Sequence, residues 1–127
     1  MTLNNTIIMN RGDTHEFDLL IVDENAADGR YKVVEDDTVY FGIMRPHQPF
    51  EDAIVKKKFT VEDTDAAGNL TIVINPEDTL DLLPGTYYYS VKLHLQHENI
   101  HPETNEVIGY IDRVNTVINK TKLFLCD

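Results

Sequence analysis

The side chains of this 127-residue sequence that could do chemistry are three neighbouring histidines, one oxygen-rich acidic loop, a single thiol and many carboxylates. His94, His97 and His101 raise the question of a metal. On a strand, however, positions 94 and 97 point to opposite faces, and neither histidine has a cysteine or a helical i, i+4 partner, so zinc is not expected. The stretch Asp63-Thr64-Asp65-Ala66-Ala67-Gly68-Asn69 has the ligand density of a calcium loop and places Gly68 sixth, but Ile74 falls twelfth, where a bidentate glutamate belongs. It reads as a solvated turn. Cys126 has no evident activating base, and no pair of carboxylates stands out as a general acid and base. With no nucleophile, base and orienting group to assemble, the expectation is a protein that is not an enzyme and carries no cofactor. Arg11-Gly12-Asp13 matches the tripeptide that integrins bind, yet Gly-Asp is also ordinary turn chemistry, which is the reading adopted.

The formal charge is -11, which argues against nucleic acid and against an anionic membrane as partners, because both require a basic patch. The only lysine run, at positions 56, 57 and 58, is short. One cysteine excludes an internal disulfide, and no basic leader precedes an apolar run, so the expectation is a chain made in the cytoplasm. The sequons at Asn4, Asn69 and Asn119 are then idle. One domain of this length can bury about two-thirds of its unfolded surface.

The elements that must position any site are short strands. The centre is residues 69–95. Leu70, Ile72 and Ile74 alternate with Thr71 and Val73, Asn75 and Pro76 then open a single helical turn, and Pro84-Gly85 ends it. The next strand aligns Tyr87, Tyr89, Val91, Leu93 and Leu95 on one face, and Tyr88, Ser90, Lys92, His94 and Gln96 on the other. Tyr87 and Tyr89 are expected in the core, their hydroxyls reaching the surface or a loop carbonyl, and Tyr88 outside. Further strands are expected at 6–10, 15–22, 38–44 and 53–61. In the last of these Lys57 falls on the apolar face, which predicts an edge position or a bulge. Residues 96–106 read as a polar loop, followed by apolar alternation over 107–114 and 116–125. About seven strands and no long helix predict an all-β, immunoglobulin-like antiparallel sandwich with one short helical turn, forming a single domain over residues 1–127.

The order Ile-Ile-Met-Asn-Arg-Gly-Asp-Thr at 7–14, Asn-Pro-Glu-Asp-Thr at 75–79 and Leu-Pro-Gly-Thr-Tyr-Tyr-Tyr-Ser-Val-Lys-Leu at 83–93 resembles the immunoglobulin-like domain of tailed-bacteriophage and prophage virion proteins, such as the N-terminal domain of the baseplate upper protein family. The resemblance implies a scaffold module that docks onto other virion proteins, with receptor binding in a separate C-terminal region. Because this sequence stops at Asp127, the expectation is a structural piece: a tail or baseplate adaptor, a neck protein or a capsid decoration protein. Its partners would be tail, neck or capsid subunits, in a homo-oligomer or symmetric array within the virion. The candidate docking edge is the final region, with Val107, Tyr110, Val114, Val117, Lys122 and Phe124, and the lysine-bearing strand at 56–58 is a weaker one. Tyr88 and His94 are candidate exposed contacts. The alternative is a carbohydrate- or receptor-binding module used in host attachment, drawing on those two residues with His47 and His101.

Overall fold

The computed structural model describes residues 6–21, 29–101 and 103–127. Within them lie seven strands: β1 (Ile7–Asn10), β2 (His15–Leu19), β3 (Thr38–Met44), β4 (Val55–Phe59), β5 (Leu70–Ile74), β6 (Gly85–Ile100) and β7 (Val107–Cys126). The chain is therefore all-β, with one helical turn, α1 (Pro76–Thr79), and two 3-10 turns at Phe50–Asp52 and Val61–Asp63. A five-stranded sheet has the order β1-β7-β6-β3-β4, and β2 pairs with β5 in a second sheet. Every pairing is antiparallel except β1 with β7.

Alternation decides which side chains face inward. Val39, Phe41 and Ile43 on β3, Tyr87, Tyr89, Val91 and Leu93 on β6, and Leu123 and Leu125 on β7 are buried, and so are Leu70, Ile72 and Ile74 on β5. They form one apolar cluster shared by both sheets. Phe17 of β2 joins the two layers, its ring 6.4 Å from that of Phe41 and 6.0 Å from that of Tyr89, in the tilted geometry that aromatic quadrupoles favour. Burial pushes the Tyr89 phenol up to about 12.

The expected helical turn is present and is tied into the sheet. The Asn75 N–H donates to Asp78 Oδ2 at 2.7 Å, the reciprocal half of a capping box. The same carboxylate oxygen accepts from Lys57 Nζ at 2.7 Å. This resolves the anomaly of Lys57: β4 is an edge strand with continuous register to β3 and no bulge, and its inward lysine is half-buried against the helix cap. After the turn, Tyr87 Oη donates to the Leu83 carbonyl at 2.5 Å, so this buried tyrosine clamps the chain where it enters β6.

Several boundaries differ from expectation. The strand expected over 53–61 is only β4, because Val61 belongs to a 3-10 turn whose Asp63 carboxylate accepts from the Thr60 N–H at 2.8 Å. The strand expected to reach position 22 ends at Leu19, and Val22 lies outside the described residues. The largest difference is at 96–106. Instead of a loop, β6 runs on to Ile100, and only residues 101–106 turn, held by His101 N–H to Glu106 O at 2.8 Å and Asn105 N–H to His101 O at 3.0 Å. Polar residues such as Gln96 and Glu98 suit this ladder because it leaves the body of the sheet, and Glu98, Tyr110 and Asp112 on their face are exposed.

Candidate docking surface

The two longest strands outrun their neighbours. On one side of β6, pairing with β3 ends at Thr38 opposite His94, while β6 and β7 stay paired out to Ile100 opposite Val107. On the far side of β7, β1 covers only Leu123 to Cys126. Residues 95–100 and 107–113 therefore form a two-stranded arm, and β7 has one edge unpaired by any described strand from Val107 to Lys122. Such an edge offers a row of backbone donors and acceptors to an incoming strand.

Four large apolar side chains stand out on and beside the arm. Val107, Ile108, Tyr110 and Val114 are each more than half exposed, at 57%, 57%, 63% and 56%. Three of them are among the docking residues expected from sequence, and Ile108 was missed although it sits beside Val107 in the same apolar run. Four exposed apolar residues on one short hairpin differ from apolar side chains scattered singly.

The other expected edge residues are placed differently. Val117 is half-buried against the core. Register shifts between Tyr89 and Lys92 open a bulge in the β6–β7 ladder, so that both Val117 and Ile118 pack inward, and the buried Ser90 Oγ donates to the Ile118 carbonyl at 2.7 Å. Phe124 is not at an edge: it lies between Ile8 of β1 and Thr86 of β6 in the middle of the sheet. Lys122 is exposed on the outer face, opposite Tyr88. Tyr88 itself is half-buried rather than free, with Met44 on its other side. The His94 Nε2 is 2.6 Å from Asp112 Oδ1, so its imidazole is engaged. Tyr88 and His94 stand six residues apart on β6, about 20 Å along the strand, and do not form one site.

The acidic turn and the Arg-Gly-Asp turn are each held by their own hydrogen bonds. Asp65 Oδ1 accepts from the N–H groups of Ala67 and Asn69, each at 2.9 Å, and so closes the acidic turn on itself. Among the described residues, no group of three histidine, cysteine or acidic side chains is placed to hold a metal. Arg11 bonds to Asp127 at 2.9 Å, and its backbone N–H bonds to the Cys126 carbonyl at 2.7 Å. Gly12, at φ +81°, donates its N–H to Oγ1 of the fully buried Thr79 at 2.9 Å. The Arg-Gly-Asp turn and the helical turn, 67 residues apart, are thus two halves of one joint.

Shallow clefts accompany the sheet. One of about 260 Å³ is lined by Tyr40, Phe41, Phe50, Glu51, Lys56 and Lys57, and one of about 270 Å³ by residues that include Leu20, Leu93 and Val117. Among the described residues, no helix is long and apolar enough to cross a membrane. No protein-family model matches this sequence, and a comparison with curated proteins finds no significant match.

Proposed function

We propose that this chain is a non-enzymatic assembly module of a tailed-phage or prophage virion, an immunoglobulin-like sandwich that docks onto tail, neck or capsid proteins through its β6–β7 arm. The fold assignment is supported by the strand order, by the parallel pairing of the first strand with the last, and by Tyr87 bonding back to the Leu83 carbonyl in the manner of the tyrosine corner of immunoglobulin domains. The virion assignment rests on the resemblance of the segments at 7–14, 75–79 and 83–93. The observation that carries the docking reading is the arm. It combines an edge of β7 that no described strand pairs with the exposed side chains of Val107, Ile108, Tyr110 and Val114. A strand added along that edge would gain main-chain hydrogen bonds, and the alternating side chains would select the partner.

Quantitative mass spectrometry of purified particles tests the assignment through the ratio of this chain to the major capsid subunit. A ratio near parity identifies capsid decoration, and a far lower ratio identifies the neck, tail or baseplate. Complete absence from the particles would defeat the virion reading.

A further inference from the structure

Charge in this acidic chain is segregated between its two outer faces. On the five-stranded sheet, Lys58 of β4, Tyr40 of β3 and Lys92 of β6 lie side by side in one row across the strands, and Lys56, Gly42 and Ser90 form the next. Lys122 extends the face beyond Tyr88. Lys56, Lys58 and Lys122 are exposed, and none makes an ion pair with a described residue. Phe50 folds over Gly42, where an added Cβ would stand only 2.9 Å from its ring, and Lys92 Nζ sits 4.9 Å from the centroid of that ring. Lys120 Nζ, on the same side, donates to the Gln48 carbonyl at 2.6 Å. The acidic groups on and beside this face are Glu51 and Asp52 of the 3-10 turn and, farther along β6 and β7, Glu98 and the Asp112 that bonds to His94.

The opposite face has the reverse sign. On β2, Glu16 and Asp18 point outward between the inward Phe17 and Leu19, and neither β2 nor β5 contains a lysine or arginine. Asp18 accepts from Thr71 Oγ1 at 2.9 Å, and both carboxylates are on exposed residues. Lys56 and Lys58 are two residues apart on one strand, as are Glu16 and Asp18. In each pair the charges repeat at about 7 Å, so one face can lie on the other with the charges in step. Although the whole chain is negative at -11, charges farther off than about 8 Å are screened at physiological salt, and the local match governs contact.

We propose that the basic outer face of the five-stranded sheet binds the acidic outer face of β2–β5 on a second copy of this chain. The contact joins two different patches, so it propagates head to tail into a ring or an open array. Lys56 and Lys58 lie on β4, on the same outer face as Tyr110 and Val114 but with β3 and β6 between them and β7, so substituting them leaves the arm intact, and failure of this contact leaves the docking reading untouched.

Sedimentation velocity of the full chain tests it. The wild type associates in a concentration-dependent way at about 150 mM salt, where net repulsion is screened beyond about 8 Å, and is monomeric at about 500 mM. Lys56→Gln with Lys58→Gln, and separately Glu16→Gln with Asp18→Asn, weaken association about tenfold while leaving the circular dichroism spectrum unchanged. Mixed in equal amounts, the two double variants form a dimer that cannot extend, because each retains one intact face. A wild type that stays monomeric at about 150 mM salt, double variants that associate as the wild type does, or a mixture no more associated than its components would each overturn the proposal.

Discussion

Thr79 shows how much one side chain can hold. It is fully buried, and its hydroxyl oxygen receives the Gly12 N–H. Replacing it with valine keeps the shape and leaves that donor unsatisfied, so Thr79→Val is expected to lower the unfolding free energy by about 1–3 kcal/mol, read from urea midpoints. A loss below a few tenths of a kcal/mol would mean that water replaces the bond without cost. Tyr89 makes a second residue-scale prediction. Its folded pKa of about 12 lies above the unfolded value of about 10, so the folded state holds the proton more tightly. The resulting stabilisation is complete below pH 10 and is lost as pH rises through about 12, on the order of 2 kcal/mol in all. Tyr89→Phe should flatten stability against pH in that window, and an unchanged slope would locate the alkaline loss elsewhere. Inward positions such as Phe41, Ile72 and Val91 were legible from period-2 alternation. Val117 was not, because a bulge flips local facing and nothing in the residue types marks where it falls.

At the scale of elements, Asp78 links three pieces of chain. Its carboxylate accepts from the Asn75 N–H that opens α1 and from Lys57 on the edge strand. Asp78→Ala removes both bonds and strands a half-buried ammonium, whereas Lys57→Ala leaves the cap intact. The first substitution should therefore cost about 1 kcal/mol more than the second in denaturant unfolding. Equal losses would make the cap bond energetically silent. The single helical turn was readable from Asn75-Pro76 and Pro84-Gly85, and the edge position of β4 from its misplaced lysine. The arm was not readable, since residues 96–100 have no apolar face and a pattern-based reading turns such a stretch into a loop. A two-stranded ladder without a third strand is also weak. Amide exchange should accordingly be fast in residues 95–100 and 107–113 and slow in β3 and in β6 up to Leu93; uniform protection along β6 would contradict this picture.

At the scale of the molecule, two sheets close one core, and the arm extends from one side of it. All-β class and strand number follow from turn signals and alternation. The division into five and two strands depends on pairings between residues more than a hundred positions apart, such as Ile7 with Leu123, which no local pattern encodes. The same limit applies to surfaces: the Val107, Tyr110 and Val114 cluster exists only after β6 and β7 have been paired. The proposed function makes the arm the part that joins this protein to tail, neck or capsid proteins. Its most direct test replaces residues 98–110 by a two-residue Asn-Gly turn, which joins the paired positions 97 and 111 and keeps the shared core, and measures incorporation into purified particles against the wild type. The expected result is a folded protein that particles no longer retain. A shortened chain incorporated at the wild-type ratio would contradict it.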